Sequence, residues 1–226
     1  MYPAWVTSGI AQLIRQFCDN GGNAAWIGVV SLDGLGGSPS GGLWRQGGRY
    51  EPFAGLPISE AFVWRPTARD GQPELWLSPT RTSYRDTFER FAGRYLGVPG
   101  LAGANVQIDH VFPKRAADLG GLAYVRMLAI PPESNMQAGA TLERAMRDRN
   151  MALGPRGKRT RLATYFSIGK ATGFIGYDGI PDDQDGAANR ELGRALLAHL
   201  RSFGLPADVL TEFDQKLTAG TAGRLR

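Results

Sequence analysis

No apolar run in this chain exceeds the length of a strand. The best stretches, residues 25–32 and 124–131, are eight residues each, whereas a membrane helix needs roughly 18. The 42% hydrophobic residues are instead interleaved with polar ones, and such a chain buries them by folding into short strands and amphipathic helices around a shared core. At 226 residues, 21% of them charged, it reads as a single α+β domain over 1–226, with helices packed around small antiparallel sheets and no membrane partner. The one cysteine, Cys18, excludes an internal disulfide and a thiolate zinc site. Its place at the end of an apolar helix stripe makes it a small buried hydrophobe. Histidine is limited to His110 and His199, so no His-rich metal cage is available. Met1-Tyr2-Pro3-Ala4-Trp5 is not a positive segment leading into an apolar one, and the expectation is a cytoplasmic protein without a cleavable signal peptide.

Periodicity predicts a helix over the first 20 residues, where Trp5, Ile10, Leu13, Ile14 and Phe17 share a face and Asn20-Gly21-Gly22 stops it. A buried strand follows at 25–32, then a glycine-rich loop at 33–48. Strands at 61–65 and 74–77 flank a turn and suggest a hairpin. A helix from Pro79-Thr80 to about Leu96 carries Tyr84, Phe88, Phe91 and Tyr95 on one stripe, which reads as core, with Arg81, Arg85, Arg90 and Arg94 largely off it. Residues 105–112 and 124–130 read as strands joined by a loop that turns at Gly120-Gly121, and a helix is expected from about Gly139 to Met151. Residues 162–168 fit helix or strand equally. Helices at 186–203 and 207–217 complete the chain, ahead of a frayed tail at 218–226.

The formal net charge is +5, but it is unevenly placed. Residues 80–170 hold 15 Lys/Arg against 7 Asp/Glu, a net of +8, and the remainder holds 11 against 14, a net of −3. A basic segment of this kind attracts phosphate, so a polyanion is the first partner class to consider. Three motif resemblances fail on spacing. The run Asp182-Asp183-Gln184-Asp185-Gly186 would put Leu192 where a calcium loop needs its bidentate Glu. Gly154-Pro155-Arg156-Gly157-Lys158 has two residues between its glycines where a P-loop has four. It is better read as a flexible basic segment whose Arg156, Lys158 and Arg159 touch a nucleic-acid backbone. The glycines at 34–42 precede no helix, so they form no dinucleotide site.

The sharpest signal is Ile108-Asp109-His110-Val111-Phe112-Pro113-Lys114. A charged Asp beside a His at the end of an apolar strand is costly unless something compensates it. Neighbours on a strand point to opposite faces, so the pair serves one site only if the chain twists or ends there, and Pro113 is consistent with such an end.

With Tyr124-Val125-Arg126-Met127-Leu128 as the second strand and Ser134-Asn135-Met136 ahead of the helix, residues 105–151 resemble the HNH, or His-Me finger, endonucleases. That family has an Asp-His or His-His pair ending one strand, a Pro soon after, a second strand, and an Asn or His at the next helix. The resemblance implies a central ββα-metal element in which His110 is the general base and Asp109 and Asn135 ligate one divalent metal. Two oxygen ligands suit Mg²⁺, or Mn²⁺ in its place, better than Zn²⁺. The family's middle Asn falls near Arg126, which takes a catalytic role by position, and Gly139 stands where some relatives carry a further His. Glu143, about 12 Å along a helix starting at Asn135, is a supporting carboxylate behind the ligands. Lys114, Arg115, Arg144 and Arg147 are the remaining phosphate-contact candidates. The implied activity is metal-dependent hydrolysis of nucleic-acid phosphodiesters, with DNA favoured. A nuclease of this size suits a bacterial toxin or effector, delivered into a target cell and restrained by a cognate immunity protein. The alternative is a non-catalytic nucleic-acid-binding or assembly protein in which Asp109-His110 is structural.

Overall fold

The computed structural model describes residues 2–18, 25–32, 47–69, 71–141, 143, 160–179 and 186–218. Helix α1 (Ala4–Cys18) buries Val6, Ile10, Leu13 and Phe17 as its spacing requires, together with two glutamines, Gln12 and Gln16. The strands are β1 (Trp26–Val29), β2 (Gly48–Pro52), β3 (Ala61–Pro66) and β4 (Glu74–Leu77). Helix α2 (Tyr84–Tyr95) follows, then β5 (Gln107–His110), α3 (Lys114–Leu119), β6 (Tyr124–Ile130) and α4 (Pro132–Ala140). The chain continues through β7 (Thr160–Leu162), α5 (Tyr165–Thr172), a 3-10 turn at Gly176–Gly179, α6 (Gly186–Phe203) and α7 (Ala207–Thr218).

The protein is therefore a mixed α+β fold of seven described helices and one curled antiparallel sheet, strand order β2-β3-β4-β6-β1-β7, with β5 added to β6. The expected β3/β4 hairpin is present, pairing Ala61 with Leu77 and Trp64 with Glu74. Alternation along these strands splits their apolar residues between two clusters. Val63, Leu75, Leu77 and Val125 join the main core with the helices, while Phe62, Trp64, Trp76 and Tyr124 pack with Val29 in a smaller aromatic cluster. There Phe62 stacks on Trp76 at 5.7 Å and meets Tyr124 edge-on at 5.0 Å. The aromatic stripe of α2 is core as read, with Phe88 and Phe91 buried.

Three boundaries differ from the sequence reading, and each difference has a local cause. Helix α2 begins at Tyr84 rather than at Pro79-Thr80, because Arg81 is drawn into an ion pair with Glu60 and a hydrogen bond to Thr87 Oγ1 (2.9 Å) that hold residues 78–83 in turns. Between β5 and β6 the chain forms α3 instead of a plain loop. Pro113 ends the strand and serves as the N-cap, and Gly121 at φ +69 completes the exit turn. Helix α4 starts at Pro132 instead of near Gly139, since Pro is well suited to a first helical turn whose N–H groups lack partners anyway. The ambiguous stretch at 162–168 divides into the end of β7 and the start of α5, which opens on a Thr164/Ser167 capping box. Residues 33–46, 144–159, 180–185 and 219–226, which hold most of the glycine-rich loop, the basic loop and the tail and all of the Asp182–Asp185 run, lie outside the described residues, and Gly48 at the end of the expected loop opens β2.

Candidate functional site

Strand β5 pairs with β6 in antiparallel register, Gln107 opposite Ile130 and His110 opposite Met127. Its residues alternate between half-buried Gln107 and Asp109 and buried Ile108 and His110. Helix α4 follows β6 directly and packs on β5 through Asn135, whose Nδ2 donates to Gln107 Oε1 at 2.7 Å. Asp109 and Asn135 thus belong to one face of the hairpin, and His110 to the other.

The partner of Asp109 is Lys170, which sequence reasoning missed. Lys170 Nζ donates to Asp109 Oδ2 at 2.6 Å and also to Glu143 Oε1. Its side chain is 7% exposed. Burial alone would pull the Lys170 ammonium down, but the two carboxylates outweigh it and hold the group raised, hence protonated. Burial pushes the Glu143 carboxyl up, and the lysine only partly offsets this. The backbone of Lys170 is anchored as well, since buried Ser134 of α4 donates to its carbonyl at 2.8 Å. On its other side α5 packs closely on α6 and the 3-10 turn at Gly169, where a Cβ would lie 2.5 Å from Leu196 Cδ1 and 2.8 Å from the Tyr177 hydroxyl. Lys170 is the one charged residue of the apolar helix Tyr165–Thr172, a signal that it needed a buried partner.

Glu143 reaches this cluster because α4 ends at Ala140. Thr141 leaves the helical region at φ −118, ψ −80, and the chain no longer climbs the helix axis. Glu143, expected from the resemblance as a carboxylate behind the metal ligands, is joined to Asp109 through the Lys170 ammonium.

His110 is 4% exposed and packs against Tyr84 at 4.8 Å between ring centroids. Its Nε2 is buried and has no hydrogen-bond partner among the described residues. Burial depresses its pKa to about 4, with Lys114 and Lys170 acting in the same sense and Asp109 opposing them. The imidazole is neutral at neutral pH. The strand does not twist enough to bring it to the Asp109 face, so the expected convergence of His110, Asp109 and Asn135 is not what this geometry contains. Arg126 is also elsewhere. It is fully buried, with Nη2 3.2 Å from Glu74 Oε1 and Nη1 donating to Gln16 Oε1. Glu74 Oε1 further accepts from Gln12 and Gln16, each at 2.7 Å, and Oε2 accepts from Trp76 Nε1 at 3.3 Å. The guanidinium of Arg126, expected by position to take a catalytic role, is engaged in a closed polar network linking α1, β4 and β6.

The donor set does not fit the Mg²⁺ or Mn²⁺ that the resemblance implies. A divalent ion at Asp109 would sit beside a protonated ammonium 2.6 Å from that carboxylate, which already serves as its counter-charge. Among the described residues, no group of three or more His, Cys, Asp or Glu is arranged to hold a metal.

Of the expected phosphate contacts, Lys114 and Arg115 are exposed on α3. Lys114 Nζ lies 5.6 Å from the centroid of the Tyr84 ring, and the exposed Arg85 guanidinium lies 5.6 Å from the same centroid. Arg144, Arg147, Arg156, Lys158 and Arg159 lie outside the described residues. No described helix is long and apolar enough to cross a membrane. The chain matches no model of a known protein family, no curated protein and no solved structure.

Proposed function

We propose that this protein binds nucleic acid through its phosphates, with DNA as the first ligand to test, and that Asp109 serves as a structural anchor. One observation carries the reading: Arg85 and Lys114 come from different helices onto the same Tyr84 ring, beside exposed Arg115. Cation–π contact holds the stems of two otherwise mobile cations in place, so they present fixed positive charge at less entropic cost when a phosphate arrives. The net +8 of residues 80–170 supplies the longer-range field.

Such binding weakens with salt by counterion release. Lys114→Ala, Arg115→Ala and Arg85→Ala are each expected to weaken binding alike across unrelated DNA sequences. Each lowers the slope of log K against log salt by about 1. Fluorescence anisotropy with labelled duplexes over a salt series measures this. Unchanged slopes in all three variants would place the contact elsewhere.

A second reading, a metal-dependent endonuclease with His110 as general base, is favoured by the orphaned, neutral Nε2 of His110 and by the strand, strand, helix packing of β5, β6 and α4. It requires His110 to reach a water and Lys170 to release Asp109. The toxin role and the immunity partner belong to this reading. It predicts EDTA-sensitive cleavage of DNA that His110→Ala abolishes while binding persists.

A further inference from the structure

We infer that Lys170 is the built-in cation of this hairpin. Its ammonium occupies the position between Asp109 and Glu143 that a divalent ion would otherwise take, and removing it turns that position into a divalent-cation site. Lys170 Nζ contacts both carboxylates, at 2.6 Å for Asp109. Asn135 of α4 donates its Nδ2 to Gln107 Oε1 at 2.7 Å, which leaves the Asn135 Oδ1 as an amide oxygen of the kind Mg²⁺, Mn²⁺ and Ca²⁺ accept. The cluster joins β5, Glu143 and α5, while Ser134 binds the Lys170 carbonyl from α4. The cation therefore cross-links several chain segments. Without the ammonium, the Asp109 and Glu143 side chains face each other with no counter-charge, and a hard cation lets both ionise. A lysine tethered in the chain makes the link permanent and independent of metal supply.

The inference stands apart from nucleic-acid binding, and its test involves no nucleic acid. Thermal unfolding of the full chain is followed in EDTA and then with excess Mg²⁺, Mn²⁺ or Ca²⁺. The wild-type Tm is expected to be the same in all four conditions. Lys170→Ala is expected to unfold at lower temperature in EDTA and to recover by about 4 °C when the added ion is tenfold above its dissociation constant. Adding Asp109→Asn to Lys170→Ala removes that response, and Lys170→Arg, which keeps a cation, shows none. If Lys170→Ala is folded only in the presence of a divalent ion, the inference is supported in its strongest form. Mn²⁺ binding by the wild type that disappears in Asp109→Asn would overturn it. So would a Lys170→Ala chain, folded or unfolded, that ignores all three ions.

Discussion

Arg126→Met is expected to destabilise the protein by about 3–5 kcal/mol, the cost of removing one partner from a buried ion pair and leaving the other charge behind. Arg126 and Glu74 have side chains only 2% exposed, and burial pulls the Arg126 guanidinium down, which Glu74 only partly offsets. Methionine fills most of the arginine's volume, so the loss reports on charge compensation more than on a cavity. The Glu74 carboxylate would keep the hydrogen bonds from Gln12, Gln16 and Trp76 but lose its counter-charge. Adding Glu74→Gln to Arg126→Met should recover part of the loss, because the two sites are directly coupled. Urea denaturation measures both effects as shifts in midpoint at constant slope. A loss below about 1 kcal/mol for Arg126→Met would mean that the network is not the closed structural unit described here.

The second large effect concerns acid. His110 has its folded pKa depressed from 6.5 to about 4 by burial. A proton taken up between those values therefore binds the unfolded chain and not the folded one. Stability from this group is fully present above about pH 6.5 and is lost as the pH falls towards 4, by about 3 kcal/mol at the lower end. His110→Phe keeps a ring against Tyr84 and removes the titration. Its stability between pH 7 and 4 is expected to fall by about 3 kcal/mol less than that of the wild type. Parallel pH profiles for the two proteins would show that His110 is not held neutral by its surroundings.

Much of the fold follows from short-range pattern. The 3- and 4-residue spacing of Val6, Ile10, Leu13 and Phe17 places α1, and the turn between residues 66 and 74 closes the β3/β4 hairpin. Alternation already warned that Asp109 and His110 face opposite ways, and the register of β5 on β6 bears this out. Helix α3 was hidden because Lys114–Leu119 is only six residues long and Pro113 suits both the end of a strand and the start of a helix. The polar partners were hidden by distance along the chain. Lys170 meets Asp109 across 61 residues, and Gln12 meets Glu74 across 62. Periodicity carries no information about such pairs, although an isolated charge in an apolar element, as at Lys170, Glu74 and Arg126, announces that a pair must exist. The family resemblance singled out Asp109 as an expected metal ligand, and nothing in the local sequence showed that the Lys170 ammonium lies against its carboxylate.

The most direct test of the central claim follows labelled DNA with the wild-type protein at low salt, in Mg²⁺ and in EDTA, by anisotropy and by denaturing gel in the same samples. The account predicts equal binding with and without the metal, reversal by added salt, and DNA recovered at full length throughout. Cleavage that requires Mg²⁺ and is lost in His110→Ala would contradict it and establish the endonuclease reading instead.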